Sequence, residues 1–156
     1  MKTKIPPPLF ALLAGFLIYI LHNYIPGPTI VDPLIVHYSW ITFLIGGAFP
    51  TWAIITFRRA HTTLDPTDPG KASRLVIHGP YRLTRNPMYL GLFLVLFGWT
   101  LWLGNLTGFL VLPVFIMAIT YLQVIPEERA LSARFGEEYL RYRRQVYRWF
   151  GCTSII

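Results

Sequence analysis

The stretch NPMYLGLFLVLFGWTLWLGNLTGFLVLPVFIMAITYLQVIP, residues Asn86 to Pro126, holds no Asp, Glu, Lys or Arg in 41 positions. A helical crossing of a bilayer takes about 20 apolar residues, so this stretch has room for two crossings joined by a tight turn at Gly104-Asn105. It opens inside a polar cassette, His78-Gly79-Pro80-Tyr81-Arg82-Leu83-Thr84-Arg85-Asn86-Pro87-Met88-Tyr89-Leu90-Gly91. It runs into a second one, Glu127-Glu128-Arg129 followed by Phe135-Gly136-Glu137-Glu138-Tyr139. A hairpin of two spans brings both cassettes to one face of a membrane, where a charged ligand could sit between them.

Upstream, residues 5 to 57 contain one acid, Asp32, and no Lys or Arg before the Arg58-Arg59 pair. The predicted fold class is therefore an all-α integral membrane protein with about four transmembrane helices, a cytoplasmic loop and a C-terminal amphipathic helix. We expect a single membrane domain over residues 1–156, with spans near 8–25, 33–57, 88–103 and 106–125. A soluble fold would have to hide too much apolar surface: hydrophobic residues make up 54% of the chain and charged residues 13%, against about 25% charged in average soluble proteins.

All 14 Lys and Arg residues fall before span one, between spans two and three, or after span four. The positive-inside rule then puts both termini and the central loop in the cytoplasm. Anionic lipid head groups explain this basic face, and no soluble basic domain is present to carry a nucleic-acid reading. The start at Lys2 and Lys4 resembles a signal peptide, but Asn23-Tyr24-Ile25-Pro26-Gly27 has no small-x-small cleavage site, so a retained first span is expected. The compact chain without targeting extensions favours a prokaryotic inner membrane. The lone Cys152 excludes an internal disulfide and supplies no metal framework.

Local signals refine this outline. Pro26-Gly27-Pro28 and Asp32-Pro33 mark the first turn, and Pro50 and Pro113 predict kinks inside spans two and four. Residues 60 to 80 read as irregular apart from a short extended piece at Leu75-Val76-Ile77. Asn86 and Pro87 suit the N-cap and first position of a helix, whose free N–H groups would face the cassette. Asn105-Leu106-Thr107 matches a glycosylation sequon but lies so close to the span ends that we read it as coincidence. After Pro126, Leu131, Phe135, Tyr139, Tyr142, Val146 and Trp149 form one stripe of an amphipathic helix with arginines on its other faces.

The ordered pair of cassettes carries a resemblance. Gly79-x-Tyr81-x3-Arg85-x-Pro87-x-Tyr89-x-Gly91, then a hairpin, then Glu127-Glu128 and Phe135-Gly136-x2-Tyr139-x2-Tyr142-x3-Val146, is similar to the isoprenylcysteine carboxyl methyltransferases and their phospholipid N-methyltransferase relatives. The resemblance covers residues 72 to 147. It implies a membrane enzyme that uses S-adenosylmethionine, bound on the cytoplasmic side by segments 76–91 and 126–147, with a lipophilic or lipid-linked acceptor entering from the bilayer. The expected cofactor-binding residues are Val76, His78, Gly79, Pro80, Tyr81, Asn86, Pro87, Tyr89, Leu90, Glu127 and Glu128. Arg85 is the candidate catalytic and acceptor-holding residue, with Tyr142 and Arg144 as further substrate contacts. No metal is expected.

The residue types suit that cofactor independently of the resemblance. Glu127 or Glu128 can take its ammonium or ribose hydroxyls, backbone N–H groups of residues 78–81 and of the Pro87 helix start can meet its acceptors, and Tyr81, Tyr89 and Leu90 can wall its adenine. The guanidinium of Arg85 can bind a carboxylate through two parallel hydrogen bonds. Each has a plainer reading: first-turn acids favoured by a helix dipole, an arginine anchored in lipid phosphate, interfacial tyrosines, a solvated loop histidine. His22, His37 and His61 read as structural.

Two departures stand out. Asn86 occupies the place where the family usually has histidine, so no imidazole base is present there, and Gln145 stands where the carboxyl methyltransferases tend to have arginine. The acceptor, and whether oxygen, nitrogen or sulfur receives the methyl group, stays open. The alternatives are a sterol-reductase-like membrane reductase using NADPH, and a non-catalytic membrane protein. The Glu127-Glu128 pair favours a cationic cofactor over a dinucleotide, whose phosphates it would repel.

Overall fold

The computed structural model describes residues 6–25, 27–29, 32–60 and 74–153. Lys2, Lys4, Pro26, His61, Asp65, Asp68 and Lys71, on which parts of the topology and loop reading rest, lie outside the described residues. Helices α1 (Pro7–Tyr24), α2 (Pro33–Arg59) and α3 (Pro87–Leu103) are followed by a 3-10 turn at Leu106–Leu110. That turn leads into α4 (Val111–Ile119), a π turn (Thr120–Val124), α5 (Ile125–Phe135) and α6 (Glu137–Gln145). Three segments, Pro7–Tyr24, Pro33–Arg59 and Leu106–Phe135, are long and apolar enough to cross a membrane, and the 17 residues of α3 form a shorter apolar helix. The described residues hold no β-strand, only two isolated bridges. The protein is an all-α integral membrane protein.

The outer faces of α2, the 3-10 turn and α4 expose large apolar side chains, among them Leu34, Trp40, Leu44, Leu110, Val114 and Met117. Facing lipid, such surface is not a liability, because tails are as apolar as the side chains themselves. Helix association must then come from close fit. Ser39, Gly46 and Ala53 form the buried stripe of α2, opposite Gly91 and Gly98 of α3. A Cβ on Gly91 would lie 2.5 Å from the Gly46 carbonyl oxygen, and one on Gly98 would lie 2.9 Å from the Ser39 carbonyl oxygen. Small residues let the two backbones touch. A separate apolar cluster gathers Ile18, Tyr89, Leu96, Val111, Leu112, Phe115, Ile119 and Val124 from α1, α3, α4 and the π turn.

The structure refines the local expectations. Pro113 is the third residue of α4, which runs on directly from the 3-10 turn. An irregularity follows at the π turn, where the Ile125 N–H reaches back to the Thr120 carbonyl. Pro126 follows directly, so the longer hydrogen bonds sit where a proline would otherwise break the α pattern. The predicted single C-terminal helix is two helices, split at Gly136, whose φ of 52° lies in the region that favours glycine. Leu131, Phe135, Tyr139, Tyr142 and Val146 still share one cluster with Leu75, Ile77, Tyr81 and Cys152, whereas Trp149 packs on the other cluster. Leu75-Val76-Ile77 is non-helical and joins no strand among the described residues.

At the far end, the α3–α4 turn meets the α1–α2 connection. Gly104 closes α3 in the left-handed conformation at φ 68°. Asn105 is 3% exposed, its Oδ1 accepts from the Thr107 N–H at 2.9 Å and the Thr107 hydroxyl at 2.7 Å, and the Leu106 N–H donates to the Pro28 carbonyl.

Candidate active site

At the opposite end, a cavity of about 430 Å³ opens between the start of α1, the second half of α2, the start of α3 and α5. Its volume is in the ~300–1,000 Å³ range of small-molecule sites. Proline and apolar side chains from α1 and α2 (Pro7, Pro8, Pro50, Ile54, Phe57) form one wall, and the polar cassettes form the other. Of the residues singled out in the sequence, Val76, Tyr81, Arg85, Asn86, Pro87, Tyr89, Glu127, Glu128 and Tyr142 line it.

Five others do not line it. His78 is exposed. Gly79, at φ 63°, packs on α2, where a Cβ would lie 2.7 Å from Thr56 Oγ1. Pro80 is buried beneath the short 3-10 turn Gly79–Arg82, its carbonyl accepting from the Leu83 and Thr84 N–H groups. Leu90 follows Tyr89 by one residue, about 100° around an α-helix, and so leaves the cavity side. Arg144 lies on the exposed face of α6, 3.7 Å from an equally exposed Glu137.

Within the cavity wall the two glutamates are treated differently. The Tyr89 hydroxyl donates to Glu127 Oε1, joining the first turn of α3 to the first turn of α5. Glu128 is enclosed by arginines. Arg148 grips it with a two-pronged contact, Nε to Oε1 at 3.0 Å and Nη2 to Oε2 at 2.8 Å, and Arg85 Nη1 stands 3.1 Å from Oε1. Two cations therefore compensate Glu128, and Glu127 is the acid left to meet a ligand through the cavity.

Asn86 precedes the first residue of α3 as expected but does not cap it with its side chain. Its amide instead donates to the Arg148 carbonyl at 2.9 Å, alongside the Thr84 hydroxyl at 3.1 Å. The polar side chain found in place of an imidazole thus fastens the C-terminal segment. Tyr142 donates to the Tyr81 carbonyl at 2.7 Å, and the Tyr81 ring meets Phe57 edge-on at 5.4 Å between centroids. Burial, assisted by the charge of Glu127, raises the Tyr81 phenol well above the usual tyrosine range. Burial likewise raises Tyr142, and pushes Tyr139 up to about 12 with the charge of Glu128 adding and Arg85 opposing. These hydroxyls stay protonated at ordinary pH: Tyr142 acts as a neutral donor, and the Tyr139 oxygen accepts from Arg85.

Arg148 and Tyr139 were not among the residues singled out for the site. Tyr139 was visible as a member of the apolar stripe. Arg148 was one of six arginines after Pro126 with nothing in its spacing to separate it, because its role depends on the chain leaving the helix at Val146 and folding back.

The model of the phospholipid methyltransferase family matches residues 35–138, from the first turn of α2 to the start of α6. The chain belongs to this family. Among relatives, a protein-S-isoprenylcysteine O-methyltransferase A of Arabidopsis thaliana is 30% identical over 110 residues, which cover 70% of this chain and 56% of the plant protein. The chain thus spans about half the length of that relative. An uncharacterized protein of Haemophilus influenzae is 48% identical over 62 residues, 40% of this chain and 98% of that protein. No solved structure matches. The family match includes the first cassette and the second as far as Glu138, and stops before Tyr139, Tyr142 and Arg148.

Proposed function

We propose that the protein transfers a methyl group from S-adenosylmethionine to a lipophilic or lipid-linked acceptor at the cytoplasmic face of a prokaryotic inner membrane. In this reading residues 1–156 form one membrane domain with both termini in the cytoplasm. The observation that carries the proposal is the union of the Arg85–Tyr89 cassette and Glu127 around one cavity whose remaining wall is apolar. Membership of the phospholipid methyltransferase family and the similarity to an isoprenylcysteine O-methyltransferase support it.

The donor set fits the cofactor. Arg85 lines the cavity and is buried, its Nη1 ion-paired to Glu128 at 3.1 Å and its Nε without a hydrogen-bond partner. A guanidinium with an N–H left over suits a carboxylate. Glu127, steadied by Tyr89, suits an ammonium or ribose hydroxyls, and Tyr81, Tyr142 and Val76 offer a wall for a flat ring. Bound there, S-adenosylmethionine would supply an electrophilic methyl group on a sulfonium. The residues of the chain contribute binding, orientation and exclusion of water, and positioning of this kind accounts for much of the acceleration in a displacement reaction. Asn86 cannot titrate near neutrality, so no step relies on it as a base.

Titration calorimetry with S-adenosylhomocysteine and, separately, NADPH tests the cofactor. Binding of the first and not the second is expected, and the reverse favours a reductase. Labelled-methyl transfer to phospholipid and to prenylcysteine acceptors then identifies the acceptor class. Cysteine-accessibility labelling should place positions 71 and 152 on one side of the membrane and 32 and 105 on the other. Opposite sides for 71 and 152 would refute the topology.

A further inference from the structure

The segment after α6 does not trail away. Val146 and Cys152 pair in an antiparallel bridge, and the Tyr147 carbonyl accepts from the Arg85 N–H at 3.1 Å. The Gly151 N–H donates to the Leu83 carbonyl at 2.9 Å. Between these contacts, the Arg148 carbonyl is held by Thr84 and Asn86 while its side chain crosses to Glu128 on α5. One residue therefore ties both cassettes together through its backbone on one side and its guanidinium on the other. It lies beyond the stretch matched by the family model.

Competition for Glu128 gives this tie a consequence. Glu128 and Arg85 are both deeply buried, with side chains 9% and 8% exposed, and Arg148 is 31% exposed. A buried carboxylate left with a single cationic neighbour draws that neighbour into the fullest pairing it can make. Here Arg148 occupies both carboxylate oxygens, and Arg85 makes an ion-pair contact at 3.1 Å and a hydrogen bond to Tyr139, with Nε and Nη1 outside any hydrogen bond. We infer that Arg148 is a positioning residue: by satisfying Glu128 it keeps the guanidinium of Arg85 open to an anionic group in the cavity. Without Arg148, Glu128 captures Arg85 and withdraws it from the ligand.

The ligand half of the test rests on the proposed function, and the stability half does not. Arg148→Gln, Glu128→Gln and the double variant are compared in detergent by thermal unfolding and by calorimetric affinity for S-adenosylhomocysteine. Each substitution leaves the backbone carbonyl of residue 148 in place, so the strap itself is kept. Arg148→Gln should lower the unfolding midpoint and weaken binding by about tenfold or more, as expected when one partner of a charge-assisted pair is lost. The double variant should recover most of both, because the carboxylate that captures Arg85 is gone. Arg148→Lys, which keeps the charge but loses the two-pronged grip, should fall between wild type and Arg148→Gln.

Recovery in the double variant is something a merely structural arginine would not produce. Additive losses in both measurements overturn the inference, as does recovery of stability without recovery of affinity in a protein whose wild type binds. If wild type binds no S-adenosylhomocysteine, the proposed function fails instead, and the coupling in the unfolding midpoints decides the network by itself: additivity there rejects it.

Discussion

The two ends of the helix bundle use polar residues in opposite ways. At the far end the polar side chains of the turns are answered locally, His22 Nδ1 on α1 being buried without a partner: Asp32 caps α2 by accepting from the Leu34 N–H, and Asn105 closes the α3–α4 turn on Thr107. No arginine or lysine is present there. At the near end, Arg85 is buried with donors unanswered, two glutamates stand side by side, and a cavity separates them from an apolar wall. Folding alone explains the first arrangement, since buried polar groups cost free energy unless paired. The second tolerates unanswered groups, and such groups mark where a ligand completes the hydrogen bonding. Substitutions at the far end should therefore register as stability, and those at the near end as binding and turnover.

The largest expected effect is at Glu127. Glu127→Gln keeps an acceptor for Tyr89 but removes the charge, and loss of one partner of a desolvated charge pair costs about 2–5 kcal/mol, roughly thirtyfold to several thousandfold in affinity. S-adenosylhomocysteine affinity by calorimetry should fall by that factor with the unfolding midpoint little changed. Unaltered affinity would remove Glu127 from the site and blur the contrast between the ends.

Next comes the seam that holds the ends apart. A Cβ on Gly91 would lie 2.4 Å from Pro50 Cδ, with the α2 backbone behind it. Gly91→Ala should destabilise the protein by about 1–3 kcal/mol, the usual cost of overpacking, seen as a lowered denaturation midpoint. Because Pro50 also lines the cavity, some loss of affinity should accompany it, smaller than that of Glu127→Gln.

Arg85→Lys sharpens the comparison within the near end. Lysine keeps the charge beside Glu128 but has no planar fork, so methyl transfer should fall by about tenfold, or 1.4 kcal/mol, while the fold persists. Full turnover in Arg85→Lys and Arg85→Ala alike would leave this arginine no part in the reaction.

The helices were legible because apolar runs of fixed length stop at identifiable residues: Asp32-Pro33 begins α2, Pro87 begins α3 and Gly104 ends it. Convergence of the cassettes was legible too, since an uncharged hairpin leaves its flanking polar segments on one side. What escaped reading depends on the chain returning to itself. The pairing of Glu128 with Arg148 spans twenty residues and requires the turn after Gln145. Asn86 was read as a cap because capping is local, whereas its amide is taken by a carbonyl 62 residues away. The break at Gly136 interrupts a stripe whose apolar spacing is helical on both sides, so periodicity alone hides it. The π turn likewise leaves no mark in composition apart from Pro126.

The smallest effect on the ligand is expected at Asn105, and it tests the far end directly. Its Oδ1 answers both the N–H and the hydroxyl of Thr107, and the residue is almost wholly buried. Asn105→Ala leaves those donors without that acceptor, so stability should drop by about 1–2 kcal/mol, within the range for an unsatisfied buried group and a lost cap. Asn105→Ser restores an oxygen at the same cap position and should lose less than half of that. Neither variant touches the cavity, and S-adenosylhomocysteine affinity measured on folded protein should stay within about twofold of wild type, under 0.5 kcal/mol. An affinity loss in Asn105→Ala comparable to that of Glu127→Gln would mean that the far turn and the cavity rearrange together, and the division of labour between the two ends would have to be abandoned.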